Sequence, residues 1–293
     1  MERKKSMVKT TSETKKLSTS KAILGIVFAI IILIISQILA FSISEIPLGF
    51  GVPGAICNII AGILYVAFAL LGTMLLCKRF LKISMVEMRI PHIQLKAIWL
   101  LSAVLMPILV LLISMLLGGH WQTNIFDTET TLATVMGAVV FFGLATGIVE
   151  EIIFRGIIMG CLEKRFNIKV AIFIPSVLFG LLHIIGNDLD FISIIQLLIA
   201  GSIVGILFSL IAYESNSIWN NAIVHGIWNM TIIGGILYIG KSADSSAIFN
   251  FVLENKSFLV SGGDFGIEAS VISIFVYLIF ILVAIALLKK RNH

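Results

Sequence analysis

Glu150 and Glu151 stand side by side in an apolar run, followed by Arg155, in Glu150-Glu151-Ile-Ile-Phe-Arg155-Gly. A charge at the centre of a membrane helix costs about 2.5–3.5 kcal/mol on insertion scales. One acid is accounted for by an i,i+4 ion pair between Glu151 and Arg155. Glu150 lies about 100° further round the helix, so it points elsewhere and is retained for chemistry. Two more polar positions interrupt apolar runs: His183, in Phe179-Gly-Leu-Leu-His183, and the i,i+4 pair His225 and Asn229, in His225-Gly-Ile-Trp-Asn229. A Glu–His pair can act as general base toward water. A histidine and an asparagine amide can donate hydrogen bonds to a developing oxyanion. Each position also has a plain structural reading, as a satisfied buried histidine, an interhelical hydrogen bond or a buried ion pair. The three together favour a functional site.

The elements that must carry these residues are membrane helices. Of the 293 residues, 59% are hydrophobic and 13% charged. A soluble chain has about 45–50% and about 25%. Eight apolar runs are long enough to span, at roughly 22–43, 54–77, 97–117, 131–160, 170–186, 191–213, 216–238 and 269–288. The expected fold class is all-α, a polytopic bundle of about eight transmembrane helices. Of the 21 Lys and Arg, the first 21 residues hold seven, 78–96 five, 155–169 four and the C-terminus three. With eight spans all of these fall on one side, and only Lys241 and Lys256 on the other. The positive-inside rule then makes both N and C termini cytoplasmic. The uneven distribution accounts for the net charge of +5 without nucleic acid. Glu150 and His225 come to a common depth, about 14–15 Å from the cytoplasmic boundary at about 1.5 Å per residue. That depth points to a cytoplasm-facing site.

Residues 1–21, rich in Lys, Ser and Thr, read as a disordered basic cytoplasmic tail. Residues 22–293 read as a single membrane domain. Residues 44–53, with Pro47 and Pro53, read as a turn, and 78–96 as an amphipathic interfacial segment. The three cysteines, Cys57, Cys77 and Cys161, have no CxxC spacing and read as small core residues.

Glu-Glu-x-x-Phe-Arg, then Phe-x-x-x-His, then His-x-x-x-Asn, on successive apolar runs, resembles the CAAX protease and bacteriocin-processing family of intramembrane endopeptidases, which includes the type II CAAX prenyl endopeptidases. The resemblance covers about 131–238, the expected catalytic core. It implies that Glu150 activates water with the help of His183, that His225 and Asn229 stabilise the oxyanion, and that Glu151 and Arg155 support them. The family has been described both as metalloproteases and as glutamate proteases. No cofactor is favoured, since glutamate-activated water requires none and the chain has no HExxH helix. Zinc on Glu150, His183 and His225 with a bound water is the rival arrangement.

The expected function is hydrolysis of a peptide bond in a membrane-associated peptide or protein. The alternatives are an ion- or proton-coupled transporter and a non-catalytic membrane immunity or scaffold protein. The expected partners are the lipid bilayer and that substrate. The expected location is a multi-pass position in the cell membrane, with the Ile-, Lys- and Ser-rich composition pointing to a bacterial plasma membrane.

Overall fold

The computed structural model of the chain describes residues 16–292. It is mostly helical, at 74%. All eight apolar runs form helices: α1 (Thr19–Gly49), α2 (Gly54–Leu81), α3 (Ala97–Leu116), α4 (Thr128–Arg165), α5 (Ile168–Leu182), α6 (Phe191–Ser215), α7 (Ile218–Trp228, continued by a π-helical turn at Asn229–Ile233) and α8 (Val271–Asn292). Six of them, α1, α2, α3, α4, α6 and α8, are long and apolar enough to cross a membrane. Of the eight expected spans, six therefore meet that criterion. α5 has 15 residues, and α7 has 11 before a π turn of five. Both fall short of the about 20 residues that cover a hydrocarbon core.

The helix starts are written in the sequence. Asp127, Asn167, Asp190 and Ser217 each accept a backbone N–H from the first turn of α4, α5, α6 and α7, satisfying donors that a helix leaves open. The packing follows membrane rather than aqueous logic. The buried residues of α1 are all small: Ala22, Gly25, Ala29, Ser36, Ala40 and Ser44. Its large apolar side chains, Ile34, Ile35, Ile38 and Ile46 among them, are exposed. A soluble helix would bury the large ones. Lipid is as apolar as they are, so close backbone approach decides which face turns inward.

α1, α2, α4 and α5 enclose one apolar cluster, including Tyr65, Phe141, Val149, Ile153 and Phe179. α3, α6, α7 and α8 enclose a second, including Trp99, Met106, Phe208, Trp228 and Tyr277. α4 packs on α7 and α6 on α7, so the residues between the clusters come from α4, α6 and α7.

Several local expectations are revised. The fold is not strictly all-α: β1 (Gly119–Thr123), β2 (Leu237–Gly240) and β3 (Phe249–Leu253) form a sheet in the order β1-β3-β2, with β1 antiparallel and β2 parallel to β3. Helix α1 begins at Thr19, because Ser18 caps it and Leu17 is buried, its N–H bonded to the Lys164 carbonyl. The expected disorder of residues 1–15 lies outside the described residues. α1 also runs on through Pro47 to Gly49, so only Phe50–Pro53 turn. Residues 82–96 form no amphipathic helix. Ile83, Met88 and Ile90 are instead buried beneath the bundle with Leu81.

The two ends of the bundle differ. At one end Arg165 donates to Thr19 Oγ1 at 2.7 Å, the Ile218 N–H to the Arg89 carbonyl at 2.9 Å, and Arg291 to the Tyr213 and Glu214 carbonyls. Lys96 pairs with Glu214 at 2.6 Å, and Arg89 pairs with Glu163. This end gathers the start of α1 and the end of α8. The sheet closes the opposite end, where Asn124 holds the Asp244 and Ala247 carbonyls at 2.7 Å and the Asp264 N–H donates to Ser193 Oγ at 3.1 Å.

Candidate active site

α4 is not a uniform helix. π-helical turns at Gly137–Thr146 and Ile152–Ile158 flank one short α-helical segment, Gly147–Glu151, which carries the acidic pair. Such wider turns are rare and concentrate where a side chain must be re-aimed. Glycines bring α4 onto α7. A Cβ at Gly147 would stand 2.8 Å from Gly226 Cα and 3.0 Å from the Ala222 carbonyl oxygen, and one at Gly226 would stand 2.8 Å from the Gly143 carbonyl oxygen. No larger residue fits between the backbones, which is what puts a carboxylate of α4 within reach of the polar residues of α7.

That carboxylate is Glu151. One oxygen accepts from Arg155 Nη1 at 2.9 Å and from His225 Nδ1 at 2.8 Å, and the other accepts from Asn221 Nδ2. Both side chains of the Glu151–Arg155 pair are fully buried. Arg155 also donates to the Gly205 carbonyl at 3.1 Å and lies 4.8 Å from the Phe179 ring and 5.2 Å from the Phe208 ring. The expected i,i+4 pair is present, and it carries more than the sequence indicated. Asn221 is the residue that sequence reasoning missed here, although a signal was available: Asn221, His225 and Asn229 form an i, i+4, i+8 polar stripe.

Glu150 faces the other way, into a cavity of about 600 Å³ that His183, His225 and Asn229 also line. Its Oε2 has no hydrogen-bond partner in the protein and lies 3.8 Å from His225 Nε2, too far for a hydrogen bond. His183 sits at the C-terminal end of α5, its Nδ1 2.7 Å from the Phe179 carbonyl oxygen. A carbonyl only accepts, so Nδ1 carries the proton and Nε2 is left as an acceptor. The same logic holds for His225, whose Nδ1 donates to Glu151 and whose ring stacks on Phe208 at 4.8 Å. Asn229 Nδ2 donates to the Phe142 carbonyl at 3.2 Å, which fixes the plane of its amide. Thus the four residues singled out for chemistry border one cavity, and the two singled out as support lie in a network beneath it.

Glu268, which sequence reasoning also missed, lines the same cavity. It lies in the short 3-10 turn Ile267–Ala269, outside the spanning helices, and its Oε1 accepts from Trp228 Nε1 at 2.9 Å. Burial pushes its carboxyl above the ordinary range, while the Trp228 N–H and the nearby His183 and His225 act against that rise. Ser273 Oγ donates to the Ile267 carbonyl at 2.7 Å and holds the turn in place. Nothing in the local sequence marks Glu268, because only the fold-back before α8 brings it to the site.

The lining of the cavity extends toward the sheet end. It climbs α4 from Glu150 through Thr146 to Phe142, α5 from Phe179 through His183 to Asn187, and α7 from His225 through Asn229 to Ile233, then reaches Tyr238, Asp244, Asp264 and Phe265. Toward the other end, Ile152, Ile153, Ile157, Ile158 and Cys161 are fully buried and form a solid floor.

Glu, His and His are donor types that suit zinc. Among the described residues, however, no three His, Cys, Asp or Glu side chains gather as an ion requires. Each imidazole is held through its Nδ1, which leaves its Nε2 toward the cavity.

Residues 131–231 match a family model described as type II CAAX prenyl endopeptidase Rce1-like. Comparison with curated proteins and with solved structures finds no match. The matched segment runs from α4 to the π turn of α7 and contains Glu150, Glu151, Arg155, His183, His225 and Asn229. With six helices apolar and long enough to cross a bilayer, the chain is a multi-pass membrane protein whose residues 131–231 are similar to the Rce1-like CAAX protease family, a family of intramembrane proteases.

Proposed function

We propose that the chain is an intramembrane endopeptidase in which Glu150 activates water to hydrolyse a peptide bond of a membrane-associated peptide or protein. The observation that carries this is Glu150 itself, a carboxylate with an unpartnered Oε2 facing a cavity bordered by two imidazoles and an amide. Glu150 takes a proton from water as the water oxygen bonds to the substrate carbonyl carbon, and His183 Nε2 accepts a hydrogen bond from the same water. The carbonyl oxygen becomes an anion held by the Asn229 amide. His225 joins it as a donor once its Nε2 is protonated, with Glu151 compensating the cationic ring. The proton held by Glu150 passes to the leaving nitrogen as the C–N bond breaks.

The reading extends to the rest of the chain. Residues 22–293 form one membrane domain with 131–238 as its catalytic core, both termini are cytoplasmic, and the short α5 and α7 complete eight membrane helices. The membrane is a bacterial plasma membrane, and no nucleic acid is bound. The reaction is metal-independent, as the separation of the candidate ligands supports. Comparative peptidomics of membranes carrying wild type and Glu150→Gln tests the reading: peptides that accumulate only with wild type identify the cleaved bonds, and identical peptide sets refute it.

A further inference from the structure

Trp228 sits between the two site residues of α7, after His225 and directly before Asn229, where the helix passes from α to π geometry. Its side chain is buried, so its indole N–H needs an acceptor within the protein. That acceptor is Glu268 Oε1, at 2.9 Å. A neutral group would serve at lower cost, and the chain uses one elsewhere: Trp219 Nε1 donates to the Pro91 carbonyl at 2.7 Å. Where Trp99 donates to a carboxylate, that of Glu214, Lys96 compensates the charge. Glu268 has no ion pair among the described residues. What an uncompensated acid offers is a stronger hydrogen bond than a neutral acceptor makes.

Glu268 is itself held on both sides. Ser273 Oγ donates to the Ile267 carbonyl at 2.7 Å, and the Ala269 N–H to the Gly266 carbonyl at 3.0 Å. The Tyr277 hydroxyl donates to the Glu268 carbonyl at 3.4 Å, and the Tyr277 ring packs edge-on against Trp228, with centroids 5.3 Å apart. α8 therefore grips both partners of the Trp228–Glu268 bond. One turn earlier, α7 is anchored to α4 by Glu151 through Asn221 and His225. The Trp228–Glu268 bond is the second anchor, and it stands next to the residue that carries the amide.

We propose that Glu268 is a positioning residue of the hydrolytic site: through Trp228 it fixes the turn of α7 that aims the Asn229 amide at the developing oxyanion. This rests on the hydrolase reading and deepens it, by adding to the site a group from outside the matched residues 131–231. The role requires no contact between Glu268 and substrate. A misplacement of about 1 Å at a catalytic group can cost about 10²-fold in rate. Because the amide acts on the transition state, the effect falls on turnover rather than on binding.

The test uses the full chain in detergent and an internally quenched peptide spanning a bond that wild type, but not Glu150→Gln, cleaves in membranes. Glu268→Ala and Trp228→Phe should each lower kcat at least about tenfold with KM within about twofold. Trp228→Phe keeps a ring against Tyr277 and carries the test if Glu268→Ala folds poorly. The double variant should be no slower than the slower single one, because both remove the same bond. Glu268→Gln, whose amide oxygen still accepts, should recover most of the loss. In an Asn229→Ala background, Glu268→Ala should cost less than about twofold more. Amide hydrogen exchange in Glu268→Ala should rise over 226–233 and stay unchanged over 147–158. Multiplying effects in either double variant, or Glu268→Gln as slow as Glu268→Ala, overturn the proposal. So does a lower Tm with unchanged kcat, which reduces the bond to a structural contact, and so does unchanged exchange over 226–233. If exchange rises as expected but wild type cleaves no bond in a Glu150-dependent way, the hydrolase reading fails, and the positioning role falls with it while the anchor stands.

Discussion

Exchanging each of the adjacent acids for its amide should separate them completely. Glu151→Gln keeps shape but removes the negative charge that faces a guanidinium with no exposed surface. Breaking a buried pair by removing one partner costs about 3–5 kcal/mol, because the remaining charge stays buried without compensation. Arg155 retains the Gly205 carbonyl and the flanking Phe154, Phe179 and Phe208 rings. Since the new amide still offers one acceptor oxygen, the loss should fall near the lower end, about 3 kcal/mol. At about 2–4 °C per kcal/mol, that lowers Tm by on the order of 10 °C. Glu150→Gln removes a carboxylate whose Oε2 has no hydrogen-bond partner, so its stability should change by less than about 1 kcal/mol. Its turnover should nevertheless fall at least about 10²-fold, the scale of a general base. Thermal unfolding in detergent, followed by tryptophan fluorescence, and peptide turnover on the same preparations give both readings. A Glu151→Gln protein melting within about 1 °C of wild type would refute the reasoning. So would near-normal turnover by Glu150→Gln.

Four other outcomes are expected. Asn229→Ala should lower kcat by about 10²–10³-fold with little change in KM, measured by steady-state hydrolysis, because an oxyanion donor acts only in the transition state. Chelation should leave wild type active and purified protein should hold no stoichiometric metal; about one zinc per chain by elemental analysis, lost in His225→Ala, would reverse the metal-independent reading. Gly147→Ala should push α4 from α7 and lower both Tm and turnover, because its Cβ would meet the backbone of Gly226 rather than a movable side chain. Burial makes Glu268 bind its proton more tightly in the folded protein, so stability from this group is greatest at acid pH and is lost from about pH 4 upward as the carboxyl is forced to ionise; Glu268→Gln should flatten that slope in a Tm-against-pH series.

The sequence alone determined what is local and periodic. Long apolar runs fixed the eight helices, six of them long enough to cross a bilayer. The capping residues Asp127, Asn167, Asp190 and Ser217 fixed where the site helices begin. The i,i+4 spacings fixed which polar residues share a face, and the order of the three motifs pointed to the protease family whose model matches residues 131–231. Tertiary structure decided what depends on contacts between distant segments. Glu151 turned out to bind His225 and Asn221 as well as Arg155, because glycines let α4 touch α7. Glu268 reached the site because the chain folds back through β2 and β3 before α8, a long-range closure that no local pattern encodes. The extent of the cavity above Glu150 was likewise a matter of packing. Helix periodicity gives the height and face of Glu150, but which side of it is filled depends on the side chains that other helices bring there.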